Sequence, residues 1–151
     1  WIKKYLNYNE GHDYEAEWRS GINERVLRYA DILLLYAECQ NNLGKQADAA
    51  NYIQIVRDRA NLPDRESEFA GMSQEDLQAQ IEHERALELC FEAVRYIDLL
   101  RWGYFDSQEK VDELITRDSE FQNWSDGREY FAIPRNEVDI NPNLTQDEAW
   151  E

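Results

Sequence analysis

An all-α chain of helical hairpins joined by long irregular loops is the fold class this sequence predicts, on three observations. From about Glu24 to Leu43, apolar residues at Val26, Tyr29, Ala30, Leu33, Tyr36 and Ala37 follow helical spacing. A second run from about Gln46 to Ala60 does the same with Ala49, Ala50, Ile53, Val56 and Ala60. Third, Ser73 and Asp76 form a capping signal at the head of a long helix expected to reach about Trp102, with room for a bend.

The elements follow in order. Residues 1–23 hold Trp1, Tyr5, Tyr8, Tyr14 and Trp18 among Asn7, Asn9, Glu10, Gly11 and Gly21, with no clean period, and read as an aromatic-rich connector. Gly44 stops the first helix, and Asn61 with Pro63 ends the second. Small Ala37, the Gly44 turn, Ala49 and Ile53 are spaced as in a tetratricopeptide-like pair, where small residues let two backbones approach. Residues 64–71 read as an acidic loop. A shorter helix is expected from Ser107 to about Thr116, with Asp106 and Glu109 placed to cap it. Residues 117–128 read as a polar loop, Tyr130–Ile133 as a short extended segment stopped by Pro134, and Asn141-Pro-Asn143 as a turn. The expected organisation is one domain over 1–151: connector 1–23, helical core 24–116, loop and closing segment 117–151.

Composition narrows the function. With 32 acidic residues against 16 basic, the net charge of -16 repels nucleic-acid phosphates and anionic headgroups, so no nucleic-acid partner is expected. No apolar run approaches the roughly 20 residues that cross a bilayer as a helix. The chain starts at Trp1 with no leader or lipobox cysteine and reads as a mature or truncated piece. Cys39 and Cys90 sit among apolar neighbours in separate predicted helices and are expected as buried free thiols, although a bridge is permitted outside the cytoplasm.

Residues 84–102 are the most informative stretch. Apolar side chains fall on nearly every face, yet Glu84, Arg85, Glu88, Glu92, Arg95, Asp98 and Arg101 recur through it. Such a helix is expected to be enclosed by neighbours, its charges forming a structural ion-pair network. Acid stands next to base at Arg85/Glu88, Glu92/Arg95, Arg95/Asp98 and Asp98/Arg101, so pairing along the helix is expected. Unpaired ions in a low-dielectric interior are costly.

Catalytic and metal chemistry find little support. His83-Glu84 begins a zinc-protease pattern, but Leu87 stands where its second histidine belongs. Glu84, Glu88 and Glu92 lack the histidine three residues on that a di-iron bundle needs, and arginines lie among them. No Gly-rich phosphate loop or Gly-x-Ser-x-Gly elbow is present, and nothing singles out a glycosidase pair among the carboxylates. The expectation is no enzyme, no cofactor and no metal. Aromatic rings stack on sugar faces while amides and acids take hydroxyls, so Tyr8, Asn9, Tyr14 and Trp18 are the candidate ligand-binding residues; the competing reading is that these rings anchor the connector to the helices.

The segment Glu84-Arg-x-x-Glu-Leu-x-Phe-Glu-x-x-Arg-Tyr-x-Asp-Leu-x-Arg-Trp-Gly103 resembles the C-terminal signature of the SusD/RagB family of Bacteroidetes outer-membrane nutrient-binding lipoproteins. Arg28-Tyr-Ala-Asp-Ile-Leu-Leu-Leu-Tyr-Ala-Glu38 is similar to the family's preceding helix, and Ile133-Pro-Arg-Asn-Glu-Val-Asp-Ile-Asn-Pro-Asn-Leu-Thr-Gln146 to its closing segment. The three blocks fall in the family's order over about residues 25–146. Ala93-Val94 departs from the pattern, which has Gly or another small residue followed by His or a similar polar residue. The resemblance implies a SusD-like C-terminal domain with tetratricopeptide-like hairpins, the N-terminal part lying outside this sequence. It further implies a lipid-anchored protein on the outer-membrane cell surface that captures an oligosaccharide and passes it to a SusC-like TonB-dependent transporter. Peptide capture of the RagB type is the alternative; a tetratricopeptide-like adaptor and a glycoside hydrolase fragment are readings from other classes.

Overall fold

A computed structural model gives the fold, and the residues it describes are Lys4 and 25–151. They belong to two compact units, Trp1–Ala93 and Val94–Glu151, where the sequence reading took the chain as one domain. The regular elements among the described residues are all helical.

In the first unit, α1 (Tyr29–Asn42) and α2 (Gln46–Arg59) form a helical hairpin. Gly44 turns the chain between them at φ +74°, a left-handed conformation open to glycine without steric cost. Leu33, Leu34 and Ala37 of α1 are buried with Ala49, Ala50, Ile53 and Val56 of α2, so three alanines line the hairpin seam and the backbones come close. The buried stripe of α1 takes in only part of that helical spacing. α1 begins only at Tyr29, leaving Val26 and Tyr29 exposed, and Tyr36 is half-exposed with its ring edge-on to Tyr52 at 4.8 Å between centroids.

Two corrections concern the segments that follow. Residues 64–71 are not all loop: α3 (Glu66–Ala70) forms there because Phe69 is drawn fully into the core. Its ring lies under the guanidiniums of Arg57 and Arg65, 5.5 and 4.8 Å from the ring centre. α4 (Gln74–Glu88) then starts where the capping signal placed it, the Ser73 hydroxyl accepting from the Asp76 N–H at 3.1 Å. Leu77 and Ile81 complete the core. The Asn41 amide donates to the Gln74 carbonyl at 2.9 Å, fastening the end of α1 to the head of α4.

α4 does not run to Trp102. It ends at Glu88, and the backbone turns through left-handed conformations at Phe91 (φ 64°) and Ala93 (φ 59°) before α5 (Arg95–Arg101).

The second unit gathers α5, α6 (Gln108–Arg117) and α7 (Arg135–Ile140). Leu99, Tyr104, Phe105, Val111 and Leu114 are buried together, with Phe121 and Trp124 packed against them. Phe105 therefore stacks on Trp124 at 5.8 Å, so these loop aromatics are core residues of the unit. Gly103 follows α5 at φ +66°. The cap of α6 is Ser107, whose hydroxyl accepts from the Lys110 N–H at 3.5 Å, in place of the expected Asp106. The polar stretch 117–128 contains a 3-10 helix, Ser119–Asn123, capped by Asp118. Residues 130–133 pair with no strand. The Gln146 amide serves there instead, accepting from the Ile133 N–H at 3.1 Å and donating to its carbonyl at 2.8 Å. Cys39 and Cys90 are free as expected but exposed, not buried.

Candidate functional site

The charged residues of 84–101 are placed by two different units, and their partners lie mostly on other elements. Arg57 Nη1 on α2 donates to Glu84 Oε1 on α4 at 2.6 Å, both side chains being buried. Arg85, 2% exposed, donates from Nη1 to Asp31 Oδ1 on α1 at 2.8 Å. These two pairs pin α4 to both helices of the hairpin. Asp31 also stands in the first turn of α1, where the helix dipole favours an acid.

The end of α4 is an ionic junction. Arg28, just ahead of α1, donates from Nη1 to Glu88 Oε1 at 2.5 Å and from Nε to Glu92 Oε2 at 2.6 Å. Arg59, in the last turn of α2, reaches the same Glu88 carboxylate at 2.6 Å. Lys4 Nζ donates to Glu92 and to the carbonyls of Glu88 and Cys90, at 2.6 and 2.9 Å for the carbonyls. Carbonyls at a helix C-terminus have no partner in the helix itself, and cations there satisfy them and the dipole together. That capture is the physical reason α4 stops where it does.

Burial alone would push the Glu92 carboxyl up, but hydrogen bonds from Arg28 and Lys4, and their charges, outweigh it and hold the group below the ordinary carboxylate value. For Arg28 burial works against the charged form, while Glu92 and Glu88 more than restore it and raise its pKa.

The expected Glu92/Arg95 pair is thus corrected: Glu92 is held by Arg28 and Lys4, and the Arg95 guanidinium lies over the Trp102 ring at 5.8 Å. The chain leaves the helix between them, which removes the one-turn spacing on which the expectation rested. Arg85 likewise turns to Asp31 and not to Glu88. Asp98 and Arg101, both on α5, do pair along the helix, Arg101 Nε donating to Asp98 Oδ1 at 2.9 Å.

Tyr8, Asn9, Tyr14 and Trp18 lie outside the described residues. Sequence reasoning did not single out Lys4, Arg28, Asp31, Arg57 and Arg59 as partners. A usable signal was present for Arg28 and Asp31, which belong to the block similar to the family's preceding helix. Among the described residues no cluster of His, Cys, Asp and Glu has the arrangement of a metal site, and no helix is long and apolar enough to cross a membrane.

A cleft of about 420 Å³ opens beside the junction, lined by Arg25, Arg28, Tyr29, Leu33, Val56 and Arg59, with Ala30 and Ile55 completing its wall. Its apolar floor belongs to the α1–α2 seam and its rim is cationic.

The all-helical fold agrees with what comparison with known proteins finds. The model of the SusD family matches residues 1–150, and the chain belongs to that family. It is 34% identical to the SusD-like protein P25 of Formosa agariphila over an alignment covering 98% of this chain and 30% of that protein. The SusD-like protein P2 of the same organism is also 34% identical, over 66% of this chain and 21% of its own length. A crystal structure of a SusD superfamily protein from Bacteroides vulgatus superposes with a TM-score of 0.69 at 36% identity, covering 87% of this chain and 29% of that one. The matched part of the chain therefore covers 21–30% of the length of these relatives.

Proposed function

We propose that this chain is the helical scaffold of a cell-surface nutrient-binding protein, a lipid-anchored SusD-type component that captures a glycan at the outer membrane and hands it to a TonB-dependent transporter. The observation that carries this reading is the match of the SusD family to nearly the whole chain, supported by the shared helical fold. It is a binding function and not an enzymatic one: the buried charges of α4 are spent on the hairpin, Glu84 on Arg57 and Arg85 on Asp31, and hold helices together. The segment's work is to present surfaces rigidly, since buried pairs at good geometry fix the register of three helices at once. Rigid presentation lowers the ordering cost of binding.

The test is made on the full-length protein in its own membrane. Mild detergent extraction of the outer membrane should bring a TonB-dependent transporter down with it in stoichiometric amount. Recovery in the soluble fraction, with no such transporter attached, would contradict the proposal.

A further inference from the structure

We propose that the cleft between the start of α1 and the end of α2 is a binding site for an anionic sugar unit, one carrying a carboxylate or a sulfate. This deepens the reading of the chain as part of a glycan-capturing protein and rests on it. The argument starts from charge. The chain as a whole carries -16, yet the described residues lining this cleft include Arg25, Arg28 and Arg59 and, among them, no acid. Counting the second layer among the described residues, Lys4 joins the three arginines, and Glu88 and Glu92 are the acids paired with them.

The donors are built in. Arg28 is held from behind by all three of its nitrogens, Nη1 and Nε engaged by the Glu88 and Glu92 carboxylates and Nη2 by the Glu88 carbonyl. Arg59 reaches Glu88 through Nη2 while most of its side chain stays exposed. Glu88 thereby fixes two guanidiniums side by side without neutralising both. A guanidinium offers five N–H donors in a planar fork that fits carboxylate and sulfate oxygens; Arg59 gives only Nη2 to Glu88, and the exposed Arg25 stands beside it on the rim. Between the cations, Tyr29 presents a ring that is 72% exposed, and Leu33 and Val56 form an apolar floor. A flat ring beside fixed cations suits a pyranose, whose C–H face lies on the aromatic while its acidic substituent meets the guanidiniums. The volume lies in the range of ordinary small-ligand pockets and has room for one or two sugar units.

Calorimetric titration of the full-length protein with tetragalacturonate, a sulfated carrageenan tetrasaccharide and neutral cellotetraose tests the site. Binding of at least one anionic probe is expected, weakening as salt is raised. Arg25→Ala and Tyr29→Ala, both at exposed positions, should each weaken it about tenfold or more, the scale of one lost charge-assisted contact. The two anionic arms separate carboxylate from sulfate. Equal affinity for cellotetraose, or anionic binding indifferent to both substitutions, would overturn the anionic site while leaving glycan capture intact. Absence of binding to a wide oligosaccharide panel would instead remove the reading on which it rests.

Discussion

Arg85 Nη1 sits 2.8 Å from Asp31 Oδ1, a buried ion pair joining α4 to the first turn of α1 across 54 residues of sequence. Removing one partner strands the other in a desolvated site. Arg85→Met is therefore expected to cost roughly 3–5 kcal/mol, whereas exchanging both residues for apolar ones of similar volume should recover most of the loss. Urea melts of the single and double variants measure this. An unchanged midpoint for Arg85→Met would show that the pair holds nothing.

The junction around Glu92 has a pH signature. A carboxyl whose folded pKa is depressed contributes stability that is fully present above its unfolded value, about 4.3, and is lost as pH falls through the folded value. The thermal midpoint should thus hold steady from neutral pH down to about 5 and fall below about 4. Glu92→Gln should flatten that acid limb while lowering the plateau. A variant with the same acid slope as the parent would remove Glu92 as a source of it.

Backbone handedness gives a pair of opposite signs. Ala93 sits at φ 59°, where an L side chain costs about 1–2 kcal/mol and glycine does not, so Ala93→Gly is expected to stabilise the fold by about 1 kcal/mol. Gly103 is the converse: at φ +66° a Cβ would also lie 2.4 Å from Asp106 Oδ2, so Gly103→Ala should destabilise by about 1–2 kcal/mol. Chemical denaturation of both variants decides, and a loss at residue 93 would contradict the left-handed turn.

Cys39 and Cys90 are exposed and unbridged, so both thiols of this chain should react with a disulfide reagent under native conditions. Reaction that waits for denaturant would place them inside.

Much of the first unit was legible because its signals are local. The apolar spacing of α1 and α2, the left-handed stop at Gly44 and the Ser73 cap each act within one or two turns of chain. What was not legible depends on contacts distant in sequence. Nothing in Leu89-Cys90-Phe91-Glu92 forbids helix; Arg28 and Lys4, 60 residues or more away from the carbonyls of Glu88 and Cys90, capture them and end it. Phe69 makes a helix of an acidic loop for the same reason, since its burial in a core assembled from α1, α2 and α4 outweighs local preference. The partners of Arg85 and Glu92 were misassigned, while Asp98/Arg101 was not, because spacing along one helix is visible in a sequence while the facing helix is not. Arg25, Arg28 and Arg59 of the cleft share no local pattern, and only the fold brings them together.

Whether the protein captures a glycan is measured most directly by titrating the full-length molecule with oligosaccharides while following the sugars by mass spectrometry. Saturable binding with every sugar recovered unaltered is the expected result; shortened sugars, or no binding across neutral and anionic panels, would contradict it.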